Sequence, residues 1–109
     1  MVVNVTPQHA WELISKGEVE VVDVREPKEW EEGHVPGARL VPLAQVRSSA
    51  RKLLPESGVL FVCAGGVRSQ TAGRAALEQG ITRVYSVIGG TASWIKAGLP
   101  LSTPLKVAV

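Results

Sequence analysis

The chain has one cysteine, Cys63, among its 109 residues, so no disulfide can form within it. It has no apolar run near the ~18 residues that a bilayer span requires, and no charged-then-apolar leader of the secretory kind opens it. An unpaired thiol together with these absences points to a reducing, soluble compartment, with the cytoplasm as the expected location. Charge of one sign is scarce as well. The formal net charge is +2, the basic residues are scattered, and only Glu26, Glu29, Glu31 and Glu32 gather in one stretch. Without a Lys/Arg cluster nothing tracks a phosphate backbone, so neither nucleic acid nor a membrane is expected as a partner. The two histidines, His9 and His34, lie far from each other and from Cys63. No pair has the spacing of a metal site, and no metal or other cofactor is expected. There is no internal repeat, low-complexity segment or linker. The length suits one domain over residues 1–109, with its core at about 4–100 and a tail, Leu101 to Val109, that carries no motif.

What is present is a placement. Cys63 stands where the apolar run Val59-Leu60-Phe61-Val62 stops and a glycine-rich turn, Ala64-Gly65-Gly66-Val67-Arg68-Ser69, begins. A thiol at the carboxyl end of a buried strand, followed by a turn into a helix, faces backbone N–H groups and the positive end of a helix dipole. Such surroundings favour a thiolate over the thiol of a free cysteine, whose pKa is near ~8.5. The competing reading is a small buried hydrophobe.

The rest of the chain alternates. Thr6-Pro7 predicts an N-cap and first helical residue, with Ala10, Leu13 and Ile14 at helical spacing up to Lys16-Gly17. Val19 to Val24 is a β-branched run that reads as a buried parallel strand. Pro27 opens a helix through Trp30 that ends by Gly33, and Val35-Pro36-Gly37 turns the chain into a short strand, Ala38 to Val41. Leu43, Val46, Leu53 and Leu54 suggest a helix, and Pro55 to Gly58 a turn before the Cys63 strand. Arg68 to Gln79 is alanine-rich and helix-favouring, Val84 to Ile88 is a strand, Gly89-Gly90 a turn, and Thr91 to Ala97 a last helix. This order predicts an α/β domain: a mostly parallel central sheet of about five strands, helices on both faces, and a site at the strands' carboxyl ends.

Four blocks give the chain a resemblance to a known family. They are Asp23-Val24-Arg25-Glu26 with Glu29-Trp30, then Gly33-His34-Val35-Pro36-Gly37-Ala38, then the Cys63 to Ser69 loop, then Gly89-Gly90 with Trp94 and Gly98-Leu99-Pro100. In this order, and over nearly the whole chain, they resemble a single-domain rhodanese. The resemblance implies a sulfurtransferase in which the Cys63 thiolate takes a sulfane sulfur from thiosulfate or a persulfide and passes it to an acceptor such as cyanide or a thiol. It implies a loop of six residues, Cys63, Ala64, Gly65, Gly66, Val67 and Arg68, whose N–H groups gather around the sulfur. Arg68 would grip the donor's oxyanion, and Ser69 would donate a hydrogen bond or cap the helix. Asp23 and Arg25 are expected to shape the loop as an ion pair or through loop hydrogen bonds. His34, Trp30 and Trp94 are expected to be architectural, and Glu26 to Glu32 a solvated helix face. Many family members carry arginine directly after the cysteine, where this chain has Ala64. That difference weakens the expectation of thiosulfate binding and leaves a persulfide as the other donor. The partners implied are a small sulfur donor and acceptor, or an acceptor protein, for a monomer or weak dimer. A non-enzymatic persulfide carrier or interaction module is the main alternative. A cysteine-dependent phosphatase or arsenate reductase is less favoured, because those relatives of the fold carry a loop one residue longer.

Overall fold

The alternation of strand and helix is realised in a computed structural model that describes residues 1–103. The elements in chain order are β1 (Val3–Val5), α1 (Pro7–Ser15), β2 (Glu20–Asp23), α2 (Pro27–Glu32), β3 (Arg39–Leu40), α3 (Leu43–Leu53), β4 (Ser57–Val62), α4 (Val67–Glu78), β5 (Thr82–Val87) and α5 (Gly90–Lys96). The five strands form one sheet in the order β1-β5-β4-β2-β3, with every pairing between them parallel.

One element is absent from the sequence reading. The chain opens with a strand rather than with the helix at Thr6: Val3, Asn4 and Val5 pair in register with Tyr85, Ser86 and Val87 of β5. Three residues are too few to give a periodicity that can be read, and only the partner strand makes them extended. Thr6 then acts as expected, its side chain accepting a hydrogen bond from the His9 N–H.

Side chains of β4 alternate between two cores, as the period of a strand demands. Val59, Phe61 and Cys63 join Val46 and Ala50 of α3 and Ala72 and Ala76 of α4 on one face of the sheet. Leu60 and Val62 join Ala10 and Leu13 of α1 and Trp94 of α5 on the other. Helices therefore cover both faces. Leu60 and Phe61 are wholly buried, each contributing about 1.5–3 kcal/mol of apolar transfer free energy. The small residues of α4 let its backbone sit close to the sheet: a Cβ on Gly73 would stand 2.7 Å from a Val2 methyl and 3.3 Å from one of Val84.

The topology locates the site. From β2 the chain proceeds to β3 at one edge, and from β4 to β5 toward the other. The carboxyl ends of the adjacent strands β2 and β4 thus flank the point where the strand order reverses, the position at which open α/β sheets bind ligands. Asp23 ends β2, and Cys63 directly follows β4 in the middle of the sheet. Beyond the last helix, His34 and Ser102 form an antiparallel bridge, so the start of the tail is tied back to the α2–β3 connection. Residues 104–109 of that tail lie outside the described residues. Among the described residues no helix is long and apolar enough to cross a membrane.

Candidate active site

Cys63 is 1% exposed, and its sulfur is held by the backbone of the turn that follows it. The Gly66 N–H donates to Sγ at 3.1 Å and the Ser69 N–H at 3.3 Å. Gly66 is in the left-handed region at φ 98° and immediately precedes α4, which turns its N–H back toward the sulfur while the helix's first free N–H groups face the same side. The sequence anticipates N–H groups from along the whole loop. Two of them, from Gly66 and Ser69, reach Sγ, while those of Gly65, Val67 and Arg68 make no bond to it.

The carbonyls of the turn are held from the opposite side. Thr91 N–H donates to the Cys63 carbonyl at 2.8 Å and Ala92 N–H to that of Ala64 at 3.1 Å. The start of α5 therefore fixes the first two peptide planes of the loop. This approach is possible only because residue 90 is glycine: with φ at +60°, a Cβ there would lie 2.2 Å from the Cys63 carbonyl oxygen and 2.6 Å from Ala64 backbone atoms. Gly90→Ala is expected to lower stability by about 2–4 kcal/mol, read as a fall in the urea midpoint, because the clash is with backbone that has nowhere to move. Gly65→Ala is the control. Nothing lies within 4 Å of the Cβ it would add, so its midpoint should stay within about 0.5 kcal/mol of the parent's. Equal loss in both variants would disprove the close approach.

Arg68 and the acidic helix meet. Instead of standing free for an oxyanion, Arg68 donates from Nη1 to Glu29 Oε1 at 2.7 Å and from Nη2 to Oε2 at 2.8 Å. Glu29, in turn, is not part of a merely solvated face: besides gripping Arg68 it accepts the Glu26 N–H at 3.1 Å, which closes the first turn of α2. The Arg68 hydrogen bond is the main reason that the Glu29 carboxyl is lowered from 4.5 to about 2, and the same contact raises Arg68 further. A depressed carboxyl stabilises the fold fully above its unfolded value and loses that contribution as pH falls through about 2. The pair is one-third exposed and solvent-screened, so the contribution is small. At neutral pH the pair is ionised.

Asp23 and Arg25 form the ion pair that the sequence left as one of two choices. Arg25 donates to the Asp23 carboxylate from its backbone N–H at 3.0 Å, from Nε at 3.0 and 3.1 Å, and from Nη2 at 2.8 Å. Nη2 also donates to the Gly33 carbonyl at 2.7 Å. Asp23 is wholly buried and Arg25 nearly so, so this guanidinium is consumed in tying β2 to the end of α2. Ser69 does not cap α4, because it is the helix's third residue; its hydroxyl donates back to the Gly66 carbonyl at 3.1 Å. His34 stacks on Trp30, with ring centroids 3.8 Å apart, and its Nδ1–H donates to the Trp30 carbonyl at 2.9 Å. Trp94 is buried against Trp11, and its indole N–H donates to the Pro100 carbonyl at 2.8 Å.

A parallel α/β sheet that carries a buried thiol in a backbone cradle, at the carboxyl end of its central strand, defines a domain whose site is built around one cysteine. The rhodanese-like domain model matches residues 6–97, and the chain belongs to that family. It is 38% identical over 93 residues to the thiosulfate sulfurtransferase GlpE of Coxiella burnetii, covering 85% of this chain and 86% of the relative. To the protein of the same name from Actinobacillus pleuropneumoniae it is 31% identical over 100 residues, covering 92% and 93%. The crystal structure of a rhodanese-related protein from Thermoplasma volcanium superposes with a TM-score of 0.83 at 27% identity, over 94% of this chain and 99% of the other.

Proposed function

We propose that the protein is a sulfurtransferase in which Cys63 carries the sulfur as a persulfide. The observation that carries this reading is the buried Cys63 sulfur with two backbone N–H groups directed at it. Such donors stabilise negative charge on sulfur and need no reorganisation as the reaction proceeds. The attacking thiolate forms a bond to the donor's outer sulfur, and the donor's S–S bond breaks with its electron pair leaving on sulfite or on a thiol. The acceptor then attacks the same outer sulfur and returns Cys63 to a thiolate. The six-residue span from Cys63 to Arg68 supports sulfur over phosphate, which needs a wider ring of N–H groups around a tetrahedral centre.

The test is a mass spectrum of the intact protein after exposure to thiosulfate and, separately, to an alkyl persulfide. Gain of one sulfur atom, removed by cyanide, is the expected result. No gain from either donor would overturn the proposal. Rapid discharge to cyanide supports an enzyme, and discharge only to a partner protein supports a carrier.

Arg68 decides how thiosulfate is treated. Because Glu29 already occupies the guanidinium, an anionic donor must compete with a carboxylate for it, and Ala64 adds no second cation. Arg68→Ala is expected to raise the KM for thiosulfate about tenfold, the scale of one charge-assisted hydrogen bond. Arg68→Lys should recover only part of the loss, since the ammonium keeps charge but not the two-pronged grip. An unchanged KM in Arg68→Ala would show that the guanidinium serves Glu29 alone.

A further inference from the structure

Behind the sulfur lies a polar feature that the backbone cradle does not require. Ser86 is 1% exposed on β5 and Ser69 is 0% exposed on α4. On its strand Ser86 shares a side with Val84, which packs into the same core as Cys63 and Ala72. A hydroxyl in such a place costs free energy unless it is bonded. Among the described residues Ser86 has one side-chain partner: its hydroxyl donates to Ser69 Oγ at 2.7 Å. Ser69 Oγ in turn lies 3.1 Å from the Gly66 carbonyl and 3.5 Å from Cys63 Sγ.

Ser69 therefore has one proton and two acceptors in reach. While Cys63 is a thiol, its S–H points to Ser69 Oγ, and Ser69 gives its own proton to the Gly66 carbonyl. Once the sulfur is a thiolate the S–H is gone, and the Ser69 hydroxyl, keeping its proton, can rotate to donate a hydrogen bond to Sγ instead. Ser86 donates to Ser69 in both states and, by doing so, strengthens the bond that Ser69 makes onward. In the persulfide the negative charge resides on the outer sulfur. Sγ is then a poorer acceptor, and the Ser69 proton returns to the Gly66 carbonyl.

We propose that Ser86 and Ser69 form a buried hydroxyl relay that follows the charge on Cys63 and favours the thiolate over the persulfide, with Ser86 a positioning residue that acts through Ser69. This rests on the sulfurtransferase reading and deepens it. When an acceptor takes the outer sulfur, the S–S bond breaks and its electron pair falls on Sγ, where the relay meets it. The relay assists discharge. In loading, the same bonds stabilise the attacking thiolate and give no assistance.

The test uses the exchange of sulfur between thiosulfate and Cys63, in which the thiosulfate S–S bond breaks, sulfite leaves with the pair, and no proton is consumed. Parent, Ser69→Ala and Ser86→Ala are equilibrated at one fixed thiosulfate-to-sulfite ratio and alkaline pH, and the persulfide fraction is read by intact mass. The persulfide-to-thiolate ratio is expected to rise roughly tenfold in Ser69→Ala, the scale of one hydrogen bond to a charged group, and about threefold in Ser86→Ala. Discharge of preloaded protein to cyanide should slow in both, while loading should not. Ser86→Gly, which also deletes the hydroxyl, carries the measurement should Ser86→Ala fold poorly. A parent that loads sulfur while the variants keep its partition, or that slow equally in loading and discharge, would overturn the relay alone. A parent that never loads would overturn the sulfurtransferase reading and the relay with it.

Discussion

Cys63→Ser is expected to take up no sulfur from thiosulfate or an alkyl persulfide, and its transfer to cyanide should fall to the uncatalysed background. Serine nearly preserves the shape of the site, so Gly66 and Ser69 retain an acceptor for their N–H groups and the fold should survive. The chemistry does not survive. An alcohol has no appreciable anion at neutral pH, and a sulfenate-type S–O link is not a substitute for a persulfide. With one cysteine in the chain no second thiol can stand in. Circular dichroism would confirm the fold, and turnover by the serine variant at the parental rate would show that the sulfur acceptor lies elsewhere.

Asp23→Ala is expected to be the most destabilising single change at the site, at about 3–5 kcal/mol, because it leaves the Arg25 guanidinium buried without its counter-charge. For a domain of this size that corresponds to a fall in Tm on the order of 15 °C or more. The cost is one of isolation rather than of lost attraction, so a second substitution should relieve it: Asp23→Ala combined with Arg25→Met should be more stable than Asp23→Ala alone. Thermal unfolding of the parent, both single variants and the double variant would measure this coupling. A loss below about 1 kcal/mol in Asp23→Ala would mean that Arg25 finds compensation elsewhere.

The strands and helices that bury a continuous face were legible from residue pattern alone. Val19 to Val24, the β4 run and the alanine-rich α4 each carry a strong local signal, and Cys63 could be placed at a strand end because an apolar run stops there. β1 was not legible, because its extended form comes from pairing with β5 rather than from its own three residues. The meeting of Cys63, Gly66 and Ser69 follows from one short turn and was close to the surface of the sequence. Glu29 was missed for a different reason. Its partner Arg68 is 39 residues away, and although Glu29 stands in one of the four motif blocks, that placement does not say that it folds onto the loop. Ser86 left a fainter trace, a hydroxyl at the same alternation as Val84. That signal becomes readable only once α4 is known to cover that face.

The grip of α5 on the Cys63 and Ala64 carbonyls divides the loop into a fixed half and an editable half. The bonds that orient the peptides come from the main chain of α5, and those at the sulfur from the Gly66 and Ser69 N–H groups and the Ser69 hydroxyl, so no side chain at Ala64, Gly65 or Val67 enters either set. Val67 is 77% exposed, and the space beside Gly65 is empty. Substitution at these three positions can change the size, polarity and charge of the mouth without retuning the environment of the sulfur within it. Gly66 and Gly90, which carry the backbone geometry, leave no such latitude.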